Sequence, residues 1–308
     1  MAARFKVEVA MPTFTETALD QPIFQVVSPI IATRDRGEEH CPGSAFLIGP
    51  GWAVTANHVL AECLRRYDNA LGREGMIDVS FEVLAFLSLD GGRRHMPLRV
   101  IRAWNATPLD IAILALALPE DWPADHRWKV PAIDLLPPKV GARIAAVGFP
   151  NSSFGEPALG GERSLVLTPM TAAGEVIEIH HEFRDQARLP FPCFRANARF
   201  DGGMSGGPVV NLETGRVCGM ICSSLPGEGP DDEHTSYVST LWPMIATPID
   251  IGPTGLPGAP MYPLVKFYES GFLKADHLAN VRFQVDPEGH YQARATYDKQ
   301  EWDNRPQR

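Results

Sequence analysis

From about Ile23 to Ala246 this chain is written in short β-rich runs punctuated by Gly, Pro, Asn and Asp, and that rhythm leaves few folds open to it. Ser44 to Ile48, Trp52 to Thr55, Ile111 to Leu114, Arg143 to Val147 and Arg216 to Ile221 are each too short for a stable helix. Their turn-delimited spacing is the habit of antiparallel sandwiches and barrels. Helical periodicity interrupts the pattern over Val59 to Tyr67, where Leu60, Cys63 and Leu64 fall on one side. The chain has 308 residues, 44% of them hydrophobic and 21% charged, which suffices for one large core or two smaller ones and excludes a disordered or fibrous class.

The organisation follows from the breakers. Pro119, Pro123, Pro131, Pro137 and Pro138 interrupt periodicity between two strand-rich halves, which puts a first unit at 23–130 and a second at 131–246, after an N-terminal extension, 1–22. The stretch from Pro248 to Pro263 is dense in Pro and Gly and reads as a linker or an extended wrapping segment. Beyond it Leu264 to Leu278 reads as a helix, and Val281 to Val285 and Tyr291 to Tyr297 flank Asp286-Pro287-Glu288-Gly289 as a hairpin. Residues 247–308 are therefore expected to form a small α+β extension that ends in a frayed polar stretch, Lys299 to Arg308.

A net charge of −9, with basic residues scattered along the chain, argues against nucleic acid or an anionic membrane surface as partner. Charges interrupt every apolar stretch near Met1, so no secretion signal is expected, and no segment has the length of a membrane span. Cys41, Cys63, Cys193, Cys218 and Cys222 are odd in number and irregularly spaced, which fits reduced thiols in a cytoplasmic protein better than a disulfide framework. Cys218 and Cys222 are expected on one strand face, too far apart to bridge each other.

Chemistry concentrates in Phe200-Asp201-Gly202-Gly203-Met204-Ser205-Gly206-Gly207-Pro208, a serine set among glycines. A serine hydroxyl is a poor nucleophile at neutral pH; it needs an imidazole to take its proton and a carboxylate to hold that imidazole in the right tautomer. Thr55-Ala56-Asn57-His58-Val59 and Pro108-Leu109-Asp110-Ile111 supply both, which makes His58, Asp110 and Ser205 the candidate base, orienting acid and nucleophile. The amides of Gly203 and Ser205 are the candidate oxyanion donors, because the glycines permit unusual backbone angles. Taken singly, His58 also reads as a histidine opening a helix, Asp110 as a turn residue, and Ser205 as part of a glycine turn.

These segments resemble the chymotrypsin-like serine peptidases, and among them the bacterial HtrA/DegP-like branch. The resemblance is carried by Gly43-Ser44 to Ile48, Trp52 to Val59, Asp110 to Leu114, Gly141 to Pro150 and Asn197 to Pro208, spanning roughly residues 25 to 245. It implies two antiparallel Greek-key β-barrels with the active site between them, peptide-bond hydrolysis through an acyl-enzyme, and a protein or peptide substrate. No cofactor is implied, and the short segment after Pro263 does not read as a PDZ domain. Competing uses of the same fold are a scaffold that holds a partner and a serine esterase.

Departures from the family sharpen the expectation. Met204 stands where digestive members carry the acid that pairs with a newly cleaved amino terminus, so control by loop order or a regulatory protein partner is implied instead. The family disulfide beside the histidine is missing, with Cys41 taken as its first position and Val59 as its second. Cys222 falls where a small hydroxyl residue neighbours the aspartate, with Ser223 and Ser224 lining the substrate strand. Counting back from Ser205 puts Arg199 and Phe200 at the pocket floor, with Thr235 and Ser236 opposite. An inward Phe200 favours small aliphatic side chains, and an inward Arg199 favours acidic ones. His180-His181 lies on adjacent strand positions that face opposite ways, which suits a metal poorly, and no phosphate-cradling motif is present.

Overall fold

The structure, a computed structural model, describes residues 13–33, 39–66, 80–89, 92–106, 108–124, 126–156, 163–225, 235–250, 260–298 and 302. Most of the N-terminal extension, the middle of the Pro/Gly linker and nearly all of the stretch from Lys299 lie outside the described residues.

Two closed six-stranded antiparallel barrels form the body. The first comprises β1 (Val27–Thr33), β2 (Ser44–Gly49), β3 (Trp52–Thr55), β4 (Ser80–Leu89), β5 (Gly92–Asn105) and β6 (Ala112–Ala117). Around the barrel they run β1-β2-β3-β6-β5-β4, with β4 closing on β1. The second comprises β7 (Arg143–Gly148), β8 (Met170–His180), β9 (Cys193–Ala196), β10 (Pro208–Asn211), β11 (Arg216–Leu225) and β12 (Thr235–Ser239). Its order is β7-β8-β9-β12-β11-β10, with β10 closing on β7. In each barrel three consecutive strands are neighbours and the fourth returns beside the first, which is the Greek key. The same topology therefore occurs twice.

The alternation expected of half-buried strands is visible in β5, where Met96, Leu98 and Val100 are buried and Pro97 and Arg99 between them are exposed. β2 is buried along its whole length, because its outer face is covered as well. Aromatic rings also span the two halves: Phe24 and Phe86 of the first close on Phe149 of the second, with ring centroids 5.4 and 5.8 Å away. Such pairs contribute roughly 0.5–1.5 kcal/mol each beyond their buried area. They fix the two barrels against each other beside the strand ends that carry the candidate catalytic residues. Helix α1 (Asn57–Arg66) follows β3 directly and buries Val59, Leu60 and Cys63.

The segment 13–16 is a strand that pairs with β8, so the described part of the N-terminal extension adds to the second barrel. After Ala246 the chain straps both barrels. Pro248–Asp250 pairs with Met261–Pro263, and buried Asp250 forms an ion pair with buried Arg102 of β5. The helix expected over 264–278 is shorter. α2 spans Val265–Glu269, because Gly271 takes φ +76 and its amide donates back to Tyr268 (3.1 Å), a left-handed helix stop. Phe267 of α2 packs edge-on to Trp52, itself stacked on Trp104. A hairpin then forms from β13 (Val281–Val285) and β14 (Tyr291–Ala295), with Gly289 at φ +87 in its turn. Tyr297 and His181 (2.8 Å), Trp302 Nε1 and the Pro137 carbonyl (3.0 Å), and His277 and Asp134 (2.6 Å) tie this tail to the second barrel.

Candidate active site

Sheet register brings the base and the acid together. Thr55 of β3 pairs with Ala112 of β6 in an antiparallel ladder, so the residues just after Thr55 lie beside those just before Ala112. His58 enters α1 there, and Asp110 closes the turn before β6. Asp110 grips His58 twice: Oδ1 accepts the His58 backbone amide (2.9 Å) and Oδ2 meets Nδ1 (2.7 Å). An ionised carboxylate only accepts, so the proton of a neutral imidazole is assigned to Nδ1 and Nε2 is left as an acceptor. The pair is asymmetric in exposure, with the His58 side chain half open to solvent (50%) and Asp110 largely covered (14%).

Cys222 provides part of that cover. Its thiol hydrogen-bonds to Asp110, and burial followed by the Asp110 charge pushes its pKa well above the ordinary thiol value. It is a neutral donor to the carboxylate. Cys218 does not share its face: the ladder between β11 and β12 shifts register between Ile221 and Ser223, which turns Cys222 out of the alternation. Cys218 packs in the second barrel's interior, while Cys222 packs with residues at the junction. A Cβ on Gly43 would lie 2.7 Å from the Val59 side chain, so the segment after Cys41 packs directly against Val59. All five cysteines are single thiols, and burial, then Glu39, raises the pKa of Cys41 to about 11.

Ser205 is displayed by two successive turns. The Met204 amide donates to the Asp201 carbonyl (3.1 Å) with Gly203 at φ +95, and the Gly207 amide donates to the Met204 carbonyl (2.9 Å) with Gly206 at φ +86. Positive φ at the third position defines type II turns and calls for glycine. Gly206 has a second reason to lack a side chain, since a Cβ there would sit 2.2 Å from the Ser44 carbonyl and 2.8 Å from the Ala56 amide. The serine loop thus packs directly on the segment that leads into His58. Among the described residues, the amides of Gly203 and Ser205 have no acceptor, whereas those of Met204, Gly206 and Gly207 are all bonded. The Ser205 hydroxyl likewise makes no hydrogen bond to His58 among the described residues. Met204 is fully buried in the second barrel's apolar interior.

One residue that sequence reasoning passed over as part of a motif has a defined place. Ser44, fully buried at the start of β2, donates its hydroxyl to the Gly203 carbonyl (2.8 Å) and accepts the Phe149 amide (3.0 Å). Its own amide donates to the Ser205 carbonyl (2.8 Å). The first barrel therefore holds both ends of the Gly203–Ser205 segment.

The pocket residues are only partly assembled. A cleft of about 470 Å³ opens beside His58 and Asp110 and includes Cys222 and Ser223. Ser224 accepts a bond from Ser236 across the ladder (3.3 Å). Neither Arg199 nor Phe200 lines this cleft. Arg199 turns to the surface, where it bonds Asp201 through two nitrogens (2.7 and 2.8 Å) and lies 4.6 Å above the Phe14 ring, because a carboxylate two residues on and an aromatic face offer it partners outside. Phe200 is buried in the second barrel. The cleft wall comes instead from the segment before β9, with Arg184, Arg188 and Phe191, which nothing in the local sequence marks. Of the described His, Cys, Asp and Glu side chains, Asp286, Glu288 and His290 cluster at the hairpin turn, where Asp286 accepts the His290 amide (2.8 Å) as a turn aspartate does.

A double barrel with a histidine–aspartate pair and a glycine-flanked serine at its junction defines a peptidase-type architecture. The chain belongs to the trypsin-like peptidase family, whose domain model matches residues 43–220. Its family and fold support a serine-protease-type function. Among solved structures it is similar to the MamO protease domain of Magnetospirillum magneticum, at 15% identity and a TM-score of 0.44 over 71% of this chain and 93% of that one. The active form of the Rv3671c protease from M. tuberculosis matches at 20% identity and a TM-score of 0.42, over 77% of this chain and 89% of that one. No curated protein sequence matches significantly.

Proposed function

We propose that this protein is a serine endopeptidase working through His58, Asp110 and Ser205. The observation that carries the reading is the double contact of Asp110 on His58 beside a serine presented by paired type II turns. In this mechanism His58 Nε2 takes the Ser205 proton as Oγ attacks the scissile carbonyl carbon. The carbonyl electrons move to oxygen, and the resulting oxyanion is met by the amides of Gly203 and Ser205, whose lack of other acceptors supports that role. Collapse expels the amine, which receives its proton from His58, and leaves an acyl-Ser205. Water, deprotonated by His58, then releases the acid.

Buried Met204 cannot form an activating ion pair, which supports control by the state of the Asp201–Met204 turn or by a protein partner. We also assign the protein to the cytoplasm, on five cysteines that form no disulfide among the described residues. A fluorophosphonate probe is the first test. Labelling of the wild type that disappears in Ser205→Ala, together with peptide cleavage lost in the same variant, is expected. Absence of labelling in wild type even with candidate partner proteins present would sink the enzymatic reading, and ester hydrolysis without peptide cleavage would point to an esterase.

A further inference from the structure

We infer that the substrate groove does not end at the catalytic cleft but continues into a second compartment whose outer lip is the C-terminal hairpin, and that this compartment takes an apolar, extended segment of the substrate polypeptide. The inference builds on the peptidase reading. Beside the cleft of about 470 Å³ lies another of about 480 Å³. Both are within the roughly 300–1,000 Å³ range of ligand cavities. The same four residues line both: Pro108 and Leu109 from the first barrel, and Pro190 and Phe191 from the segment before β9. These residues form a saddle over which an extended chain, advancing about 3.3 Å per residue, passes from one compartment to the other.

The second compartment has a different chemistry from the first. The cleft beside His58 contains Arg184 and Arg188, whereas among the described residues the distal one is lined by no lysine or arginine and by a single carboxylate, Asp286. Its lining includes Trp242, a largely buried aromatic side chain that adds apolar surface. Apolar side chains of an extended segment suit the surrounding prolines, Phe191 and Ala246. The lip is prebuilt: Ala293 and Ala295 of β14 pack on the core, and the Thr296 amide bonds the Asn280 carbonyl (2.8 Å). Little ordering is therefore needed on binding.

The test uses the full chain carrying Ser205→Ala and two fluorescent libraries, tetrapeptides and decapeptides, each randomised over Pro, Leu, Val and Ala. Anisotropy should show decapeptides binding at least about tenfold more tightly, the gain of roughly one well-buried apolar side chain. Asn105→Glu and His290→Lys, the latter keeping a basic partner for Asp286, put a full charge at exposed positions of the distal compartment and should each erase that gain while tetrapeptide affinity and thermal unfolding stay unchanged. Equal affinity for the two lengths, or a gain that survives both substitutions, overturns the inference. Failure of the peptidase reading looks different: wild-type protein would cleave neither library, while the binding comparison still decides the groove.

Discussion

Removing one hydroxyl, in Ser44→Ala, should weaken both the junction of the barrels and the reaction. The change deletes the bond to the Gly203 carbonyl (2.8 Å) and the bond from the Phe149 amide (3.0 Å). A buried donor left without a partner costs about 1–3 kcal/mol, so a loss of roughly 2 kcal/mol of stability is expected. At about 2–4 °C per kcal/mol for a chain of this size, the midpoint of thermal unfolding should fall by roughly 4–8 °C. The catalytic effect is separable. Losing one oxyanion donor outright typically costs about 10²–10³ in turnover, and a loosened Gly203 should lose part of that, on the order of tenfold to a hundredfold. The rate of Ser205 labelling by a fluorophosphonate measures this without a known substrate. Amide hydrogen exchange at Phe149 should accelerate, and Ser44→Thr, which keeps the hydroxyl, should recover more of the labelling rate than of the stability. A labelling rate within twofold of wild type, alongside the expected drop in stability, would refute the idea that Ser44 holds the oxyanion turn.

Three further outcomes follow from the same contacts. Asp110→Asn leaves a partner for His58 that no longer selects the Nδ1-protonated tautomer, so turnover should fall by about 10⁴ with the midpoint of unfolding nearly unchanged; steady-state kinetics and calorimetry check both halves. Because burial and Asp110 hold the Cys222 thiol protonated, iodoacetamide at neutral pH should leave it unmodified, and Cys222→Ser, which keeps a donor to Asp110, should retain activity within a few-fold; mass spectrometry showing fast alkylation would contradict this. Truncation after Ala246 strips Asp250 from buried Arg102, a loss of about 3–5 kcal/mol, and uncovers Trp52; the truncated chain should fail to give a cooperative unfolding transition.

Strand runs at Ser44–Gly49, Trp52–Thr55 and Arg143–Gly148 were legible because alternation and turn residues act locally. The early end of α2 is a local matter too, but it hinges on whether Gly271 takes a left-handed angle, and the apolar periodicity beyond it points the other way. Arg199 could be counted to a pocket position but not aimed, since its direction depends on Asp201 and on Phe14, which arrives from the far end of the chain. Cys222 shows the same limit, because one bulge reverses the face that alternation assigns.

By itself, then, the sequence determined the all-β class, the choice of His58, Asp110 and Ser205 as candidates, and the glycines without which the serine loop cannot turn. These are matters of residue type and near-neighbour spacing. Only the tertiary structure decided that Asp110 meets His58, that Ser44 reaches from one barrel to hold the serine loop of the other, and that the tail walls a second compartment of the groove. Each depends on ladder register and barrel closure, which join segments more than a hundred residues apart in two of the three cases and leave no periodic trace in either partner.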